Sequence, residues 1–202
     1  MTQNALPFDW PAGEEDEGFV VSPSNAAAVR HLNSHARWPV AASVLTGPRK
    51  SGRSLLGRIF VLRTGGTLIE NGERVDETEL FHAWNAAQET RRPLLITADH
   101  WPTDWVITLP DLRSRLMATP HVTLADPDDQ LIGQLLQRLL ERRGIVLPED
   151  VVSYLVPRVP RNHVAIVRLA DALDTAALSE RRALTVPFAR QVLGRLWETK
   201  SA

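Results

Sequence analysis

An uncharged run, Val40-Ala41-Ala42-Ser43-Val44-Leu45-Thr46, is introduced by Pro39 and empties directly into a loop bracketed by Gly47 and Gly52. Ser54-Leu55-Leu56-Gly57-Arg58-Ile59-Phe60 then begins a helix. A run that short, closed by proline on one side and glycine on the other, without polar alternation, reads as a buried strand. Strand, glycine loop and helix in that order set an α/β arrangement for the part of the chain around them.

The same pattern continues for some distance. Ser22-Pro23-Ser24 offers a cap before an alanine-rich helix over residues 25–32, and Thr67-Leu68-Ile69 is a brief second strand after Gly65-Gly66. Residues 77–89 carry Leu80, Phe81 and Trp84 at helical spacing, Leu94 to Ala98 reads as a strand, 111–117 as a short helix and 121–124 as a strand. From Asp126 onward only helices are expected: Leu131, Ile132, Leu135, Leu136, Leu139 and Leu140 make one stripe that Gly144 stops, Pro148-Glu149-Asp150 starts another helix, and residues 164–178 and 186–197 make two more. The chain is thus expected to hold an extended tail over 1–20, an α/β part over 21–125 and an all-helical part over 126–202.

Composition narrows the chemistry. The 202 residues carry 23 Lys+Arg against 24 Asp+Glu, a net charge of −1, so no overall cationic field marks a nucleic-acid coat protein. With no cysteine, disulfides, thiolate zinc sites and thiol nucleophiles are excluded together. No apolar run approaches the roughly 18 residues of a membrane helix, and Met1 is not followed by a basic then apolar leader, so a soluble cytoplasmic protein is expected. The first twenty residues hold five acids and no Lys or Arg, yet they gather Leu6, Pro7, Phe8 and Trp10, apolar groups that a merely solvated terminus has no reason to collect.

Gly47-Pro48-Arg49-Lys50-Ser51-Gly52-Arg53-Ser54 has the frame of a phosphate loop, with Arg53 where lysine belongs. Glycines let backbone N–H groups wrap phosphates at a helix N-terminus, while a cation and a hydroxyl complete the site. An ordinary strand-to-helix turn has the same outline. Nucleotide hydrolysis also needs a strand ending in an acid to hold magnesium, and Glu70 after Thr67-Leu68-Ile69 is the candidate; it is equally a polar residue leaving a strand. Leu109-Pro110-Asp111-Leu112-Arg113-Ser114-Arg115-Leu116 sets two arginines on a short helix, where either an ion pair or a contact with another subunit's phosphate would use them. His31 and His35 stand four apart but lack the acid of a metalloprotease motif, so surface histidines and no metal are expected.

Together the phosphate loop ending Gly52-Arg53-Ser54, the arginine helix and the helical tail resemble the Hda family, homologues of the ATPase part of the replication initiator DnaA that bring about its regulatory inactivation. Ser22-Pro23-Ser24-Asn25-Ala26-Ala27-Ala28, Leu94-Leu95-Ile96-Thr97-Ala98-Asp99 and Leu184-Thr185-Val186-Pro187-Phe188 support the likeness. The resemblance implies a reduced P-loop AAA+ base followed by a helical lid. It puts the family's nucleotide site on Gly47, Gly52, Arg53, Ser54 and Glu70, with the γ-phosphate sensor at Asp99 and ADP or another nucleotide as the cofactor. It puts the arginine finger, offered in trans to ATP held by DnaA, on Arg115. Gln3-Asn4-Ala5-Leu6-Pro7-Phe8 looks like the family's sliding-clamp peptide, with Gln3, Leu6, Pro7 and Phe8 as the contacts.

Three residues weigh against nucleotide binding, although an arginine in the place of the loop lysine is itself familiar for the family. Arg53 replaces lysine, Glu70 replaces aspartate, and the lid arginine that senses nucleotide appears as Val164. There is also no room for the strand and helix that usually separate phosphate loop and acidic strand. The finger and the clamp peptide depend on none of these. The sequence runs to Ala202, shortly after Trp197, so no origin-recognition domain is expected. The reading is a regulator of replication initiation that binds the clamp and completes hydrolysis on DnaA; the alternatives are an autonomous P-loop ATPase or phosphotransferase and a scaffold that lost both activities. The finger requires the Arg115 guanidinium to protrude, and a side chain sealed within its own protomer by a carboxylate would end that role.

Overall fold

A computed structural model describes residues 18–198, which fall into two compact units meeting in sequence at Ala125 and Asp126. The first unit is built on a four-stranded sheet of β1 (Ala42–Thr46), β2 (Thr67–Ile69), β3 (Leu94–Ala98) and β4 (His121–Thr123), all parallel, in the order β2-β3-β1-β4. Both central strands, β1 and β3, are buried along their whole length, while the two edge strands are a mixture of exposed and half-buried residues. That difference matches their composition: the uncharged runs take the middle, and the short strands close the rim.

Side chains on neighbouring positions of a strand leave on opposite faces, and the sheet is covered accordingly. Leu45 and Leu95 face α1 (Ala26–Asn33) and α2 (Arg53–Thr64), packing with Val29, Leu32, Leu56 and Phe60. Val44, Leu94 and Ile96 face α3 (Glu77–Thr90) and α4 (Pro110–Ala118), packing with Leu80, Trp84, Leu112 and Leu116. Asp76 caps α3 by accepting from the Thr78 and Glu79 amides. Because α2 runs straight into β2 across Gly65-Gly66, no further strand lies between phosphate loop and β2, and β2 pairs only with β3.

Two expectations need correction. The uncharged run enters the ladder at Ala42, so Val40 and Ala41 lie outside it; the Ala41 amide is taken by the Gln88 side chain at 2.9 Å. His31 is no surface residue either. Its Nε2 meets Ser43 Oγ at 2.7 Å and its ring stacks on Trp38 at 5.1 Å, and burial, aided by the nearby His121, pushes its pKa down. His35 lies edge-on to Trp38 and Phe60, so the pair serves packing on this face of the sheet.

The second unit is helical: α5 (Asp129–Glu141), α6 (Glu149–Leu155), α7 (His163–Glu180) and α8 (Val186–Glu198). Ile132, Leu136 and Leu140 from the expected stripe are fully buried with Val151, Leu155, Ile166, Leu169, Leu173 and Phe188. Asp128 caps α5 through the Leu131 amide and Asn162 caps α7 through the Ala165 amide, both at 2.7 Å. Such caps contribute about 1 kcal/mol each. Arg143 beyond α5 pairs with Asp171 and Asp174 of α7, tying the two helices at the rim of the core.

Candidate functional site

The loop after β1 turns on two glycines, Gly47 and Gly52. Gly52, at φ +89°, leads into α2 in a left-handed conformation, and a side chain there would meet the Phe19 ring at 3.0 Å. Gly47 is packed as tightly, since an added Cβ would stand 2.9 Å from Leu124 Cβ. Both glycines are therefore required by contacts within the chain itself. Ser51 Oγ is buried in the turn without a hydrogen-bond partner among the described residues, and Ser54 is exposed.

Arg53 opens α2 but does not face outward from the loop. Its guanidinium, 12% exposed, donates to the Ala98 carbonyl and to Asp99 Oδ1 at the end of β3. The other carboxylate oxygen of Asp99 takes Arg74 Nη2 at 3.3 Å, and the Asp99 amide donates to Glu73 Oε1 at 3.3 Å. The Arg53 hydrogen bond, with charge from Arg53 and Arg74 behind it, holds Asp99 below the usual carboxylate range against the opposing pull of desolvation.

Of the sequence-expected nucleotide residues, the structure thus joins Arg53 to Asp99 and leaves Glu70 out: Glu70 is exposed and shares no bond with either. Glu73 takes the inward place, with Oε1 on the Asp99 amide and Oε2 buried without a partner among the described residues. The local cause is legible in hindsight. Asn71, at φ +53°, and Gly72 turn the chain after β2, so the residue that comes back to the strand ends is the one after that turn. Val164, where the resemblance implies a nucleotide-sensing arginine, is a half-buried apolar residue near the start of α7 and offers no charge. Arg53, which stands where the loop's lysine belongs, is turned to Asp99 and the Ala98 carbonyl, while Arg49 and Lys50 of the same loop are exposed. Arg53 and Glu70, the residues expected to hold phosphate and magnesium, are thus not placed to do so.

The arginine helix α4 is fixed at its start by Glu77. That carboxylate accepts from the Thr108 amide at 2.8 Å, the Thr108 hydroxyl at 2.9 Å and the Leu109 amide at 2.8 Å, and these backbone donors lower its pKa. Arg115, one turn from the end of α4, lies across the rings of Phe81 and Trp84 at 4.9 and 4.8 Å. Its Nη2 and Nε reach Asp111 Oδ2 at 2.9 and 3.1 Å, and Nη1 donates to Asn85. The side chain is 31% exposed and Asp111 is 63% exposed. The guanidinium therefore does not protrude as expected, but neither is it sealed: it rests on its own protomer at the surface. Arg113 is exposed, with no side-chain partner among the described residues.

Gln3, Leu6, Pro7 and Phe8 lie outside the described residues. Among those described there is no group of His, Asp and Glu that could hold a metal ion, and no helix long and apolar enough to cross a membrane.

Residues 128–193 match the Hda lid domain. The fold is similar to that of domain III of the replication initiation protein DnaA from Thermotoga maritima, at 18% identity over 95% of this chain and 98% of that one, with a TM-score of 0.68. It is also similar to AMPPCP-bound DnaA from Aquifex aeolicus, at 13% identity over 82% of this chain and 68% of that one, with a TM-score of 0.61. A third likeness is to the RuvB Holliday junction branch migration motor of Thermotoga maritima, at 11% identity over 85% of this chain and 68% of that one, also with a TM-score of 0.61. At these identities the likeness is one of fold, and it makes the parallel-sheet unit an AAA+ base. A match to the Hda lid domain over residues 128–193 thus lies in a chain whose fold is similar to that of domain III of DnaA.

Proposed function

We propose that this protein regulates replication initiation by promoting hydrolysis of ATP held by DnaA, presenting Arg115 in trans while Gln3, Leu6, Pro7 and Phe8 attach it to the sliding clamp. The observation that carries this reading is the state of Arg115: a guanidinium on a short helix anchored by Glu77, held at the surface by a carboxylate that is itself mostly in water. Surface pairs of this kind contribute about 0.2–1 kcal/mol, and cation–π contacts at exposed sites add about 0.5–1 kcal/mol each. A triphosphate offers more charge and more acceptors than Asp111, and an arginine finger accelerates phosphoryl transfer by about 10³–10⁵. The aromatic rings then act as a rest from which the side chain swings.

Arg115→Ala tests the reading. Stimulated hydrolysis of DnaA-bound ATP is expected to disappear while clamp capture persists, and removal of residues 1–10 is expected to abolish clamp capture. Stimulation that survives Arg115→Ala rejects the finger. An autonomous P-loop ATPase has no such support, because Arg53 is bound to Asp99 and Glu70 stands apart. It would show itself as ATP turnover by the purified chain alone, lost on Ser54→Ala.

A further inference from the structure

We infer that the Asp99 carboxylate occupies, electrostatically, the place of a bound phosphate, so that the base unit keeps its phosphate loop and strand ends in order with no nucleotide present. A phosphate in such a loop gathers cations through several oxygens at once. Here one carboxylate does so: Oδ1 takes Arg53 from the loop and Oδ2 takes Arg74 at 3.3 Å from the turn after β2. Three segments distant in sequence are thereby tied to one side chain.

The charge balance closes the site further. Arg53 and Arg74 are matched by Asp99 and Glu73, with Glu73 on the Asp99 amide at 3.3 Å and 3.8 Å from Arg74 Nε. Within the cluster two cations face two carboxylates, so a diphosphate entering it would bring its negative charges beside Asp99 and Glu73; the loop's other cations, Arg49 and Lys50, are exposed outside the cluster. Phe19, 9% exposed, packs on Gly52 at the entry to α2 and adds an apolar cover to the loop. Arg74 reaches this cluster because α2 runs directly into β2, which places the turn after β2 beside the end of β3. The shortened base and the self-neutralised cluster are therefore parts of one arrangement, and it is independent of what Arg115 does.

The test is thermal unfolding of the purified full chain, with and without magnesium and ADP, on the wild type and on Asp99→Asn. A loop that bound ADP at a hundredfold excess over its Kd would raise the melting temperature by several degrees. The wild type is expected to show less than about 1 °C of change and to carry no nucleotide through purification. Asp99→Asn, which leaves two arginines facing a neutral amide, is expected to melt several degrees lower and to regain part of that loss with inorganic phosphate. Three results each overturn the inference: a wild-type melting temperature that climbs with ADP, an Asp99→Asn protein that melts like the wild type, or one that phosphate leaves unchanged. Should Asp99→Asn not accumulate in folded form, the wild-type ADP measurement decides alone.

Discussion

Arg53 and Arg115 are the arginines of the phosphate-loop frame and of α4, and each is bound to an aspartate of its own chain. Their surroundings differ. Arg53 is 12% exposed and its partner Asp99 24%, with a backbone carbonyl and a second guanidinium completing the cluster. Arg115 is 31% exposed and its partner Asp111 63%, an i,i+4 pair along one helix. Separating a buried pair leaves a desolvated charge, whereas separating a surface pair returns both ends to water. Residue type alone does not tell which cation a partner's phosphate can recruit; burial and the number of competing acceptors do. On that basis the loop arginine is a structural fixture and the helix arginine is available.

The largest expected effect is on rate. Arg115→Ala should lower stimulated hydrolysis of DnaA-bound ATP by about a thousandfold or more, with a stability cost of about 1 kcal/mol from the lost surface pair and ring contacts. Arg53→Ala should do the reverse, leaving stimulation per folded molecule intact. Equal loss of stimulation from both variants would break the comparison.

Next in size is the stability cost of Arg53→Ala. It strips the partly buried Asp99 of its main partner and leaves the Ala98 carbonyl without that donor. A cost of about 2 kcal/mol is expected, below the roughly 3–5 kcal/mol of a fully buried pair because Asp99 keeps Arg74 and some water. Denaturant unfolding with an unchanged m-value measures it. A loss no larger than that of Arg115→Ala would mean that burial does not separate the two arginines.

Much of this was legible in the sequence, for physical reasons that differ by element. The central strands announce themselves because a run buried on both faces tolerates no charge, and Val44 to Thr46 and Leu94 to Ala98 carry none. The stripe from Ile132 to Leu140 shows its helix by period alone. What the sequence hid are the pairings between distant segments. Nothing local says that Arg53 will choose Asp99 over solvent, or that Asn71 and Gly72 will bring Glu73, not Glu70, to the strand ends. Nor does the spacing of Asp111 and Arg115 reveal that Phe81 and Trp84 of another helix lie beneath the guanidinium. Periodicity reports which face is buried; it does not report what a charged side chain at the edge of that face will meet.

Asp111→Ala sharpens the contrast at a smaller scale. It removes the carboxylate that competes for Arg115 and leaves the aromatic rest and Asn85 in place. A stability loss within about 1 kcal/mol is expected, with stimulation maintained or raised a few-fold, because the resting side chain has less to leave. A collapse of stimulation would instead make Asp111 part of the machinery and the pair a working unit.

The smallest effect concerns the anchor of α4. Backbone amides of Thr108 and Leu109 hold the Glu77 pKa below its ordinary 4.5, and the folded state therefore gains from the ionised form. A depressed carboxylate contributes stability that is complete above the unfolded value and is lost as pH falls through the folded value. Acidification through that window should loosen the start of α4, speeding amide exchange at Thr108 and Leu109 after correction for intrinsic rates. In Glu77→Gln this pH dependence should vanish, since the neutral amide accepts the same bonds more weakly at every pH. If the wild-type amides exchange independently of pH there, Glu77 does not anchor the helix, and the surface position of Arg115 must come from its own contacts with Asp111, Asn85, Phe81 and Trp84.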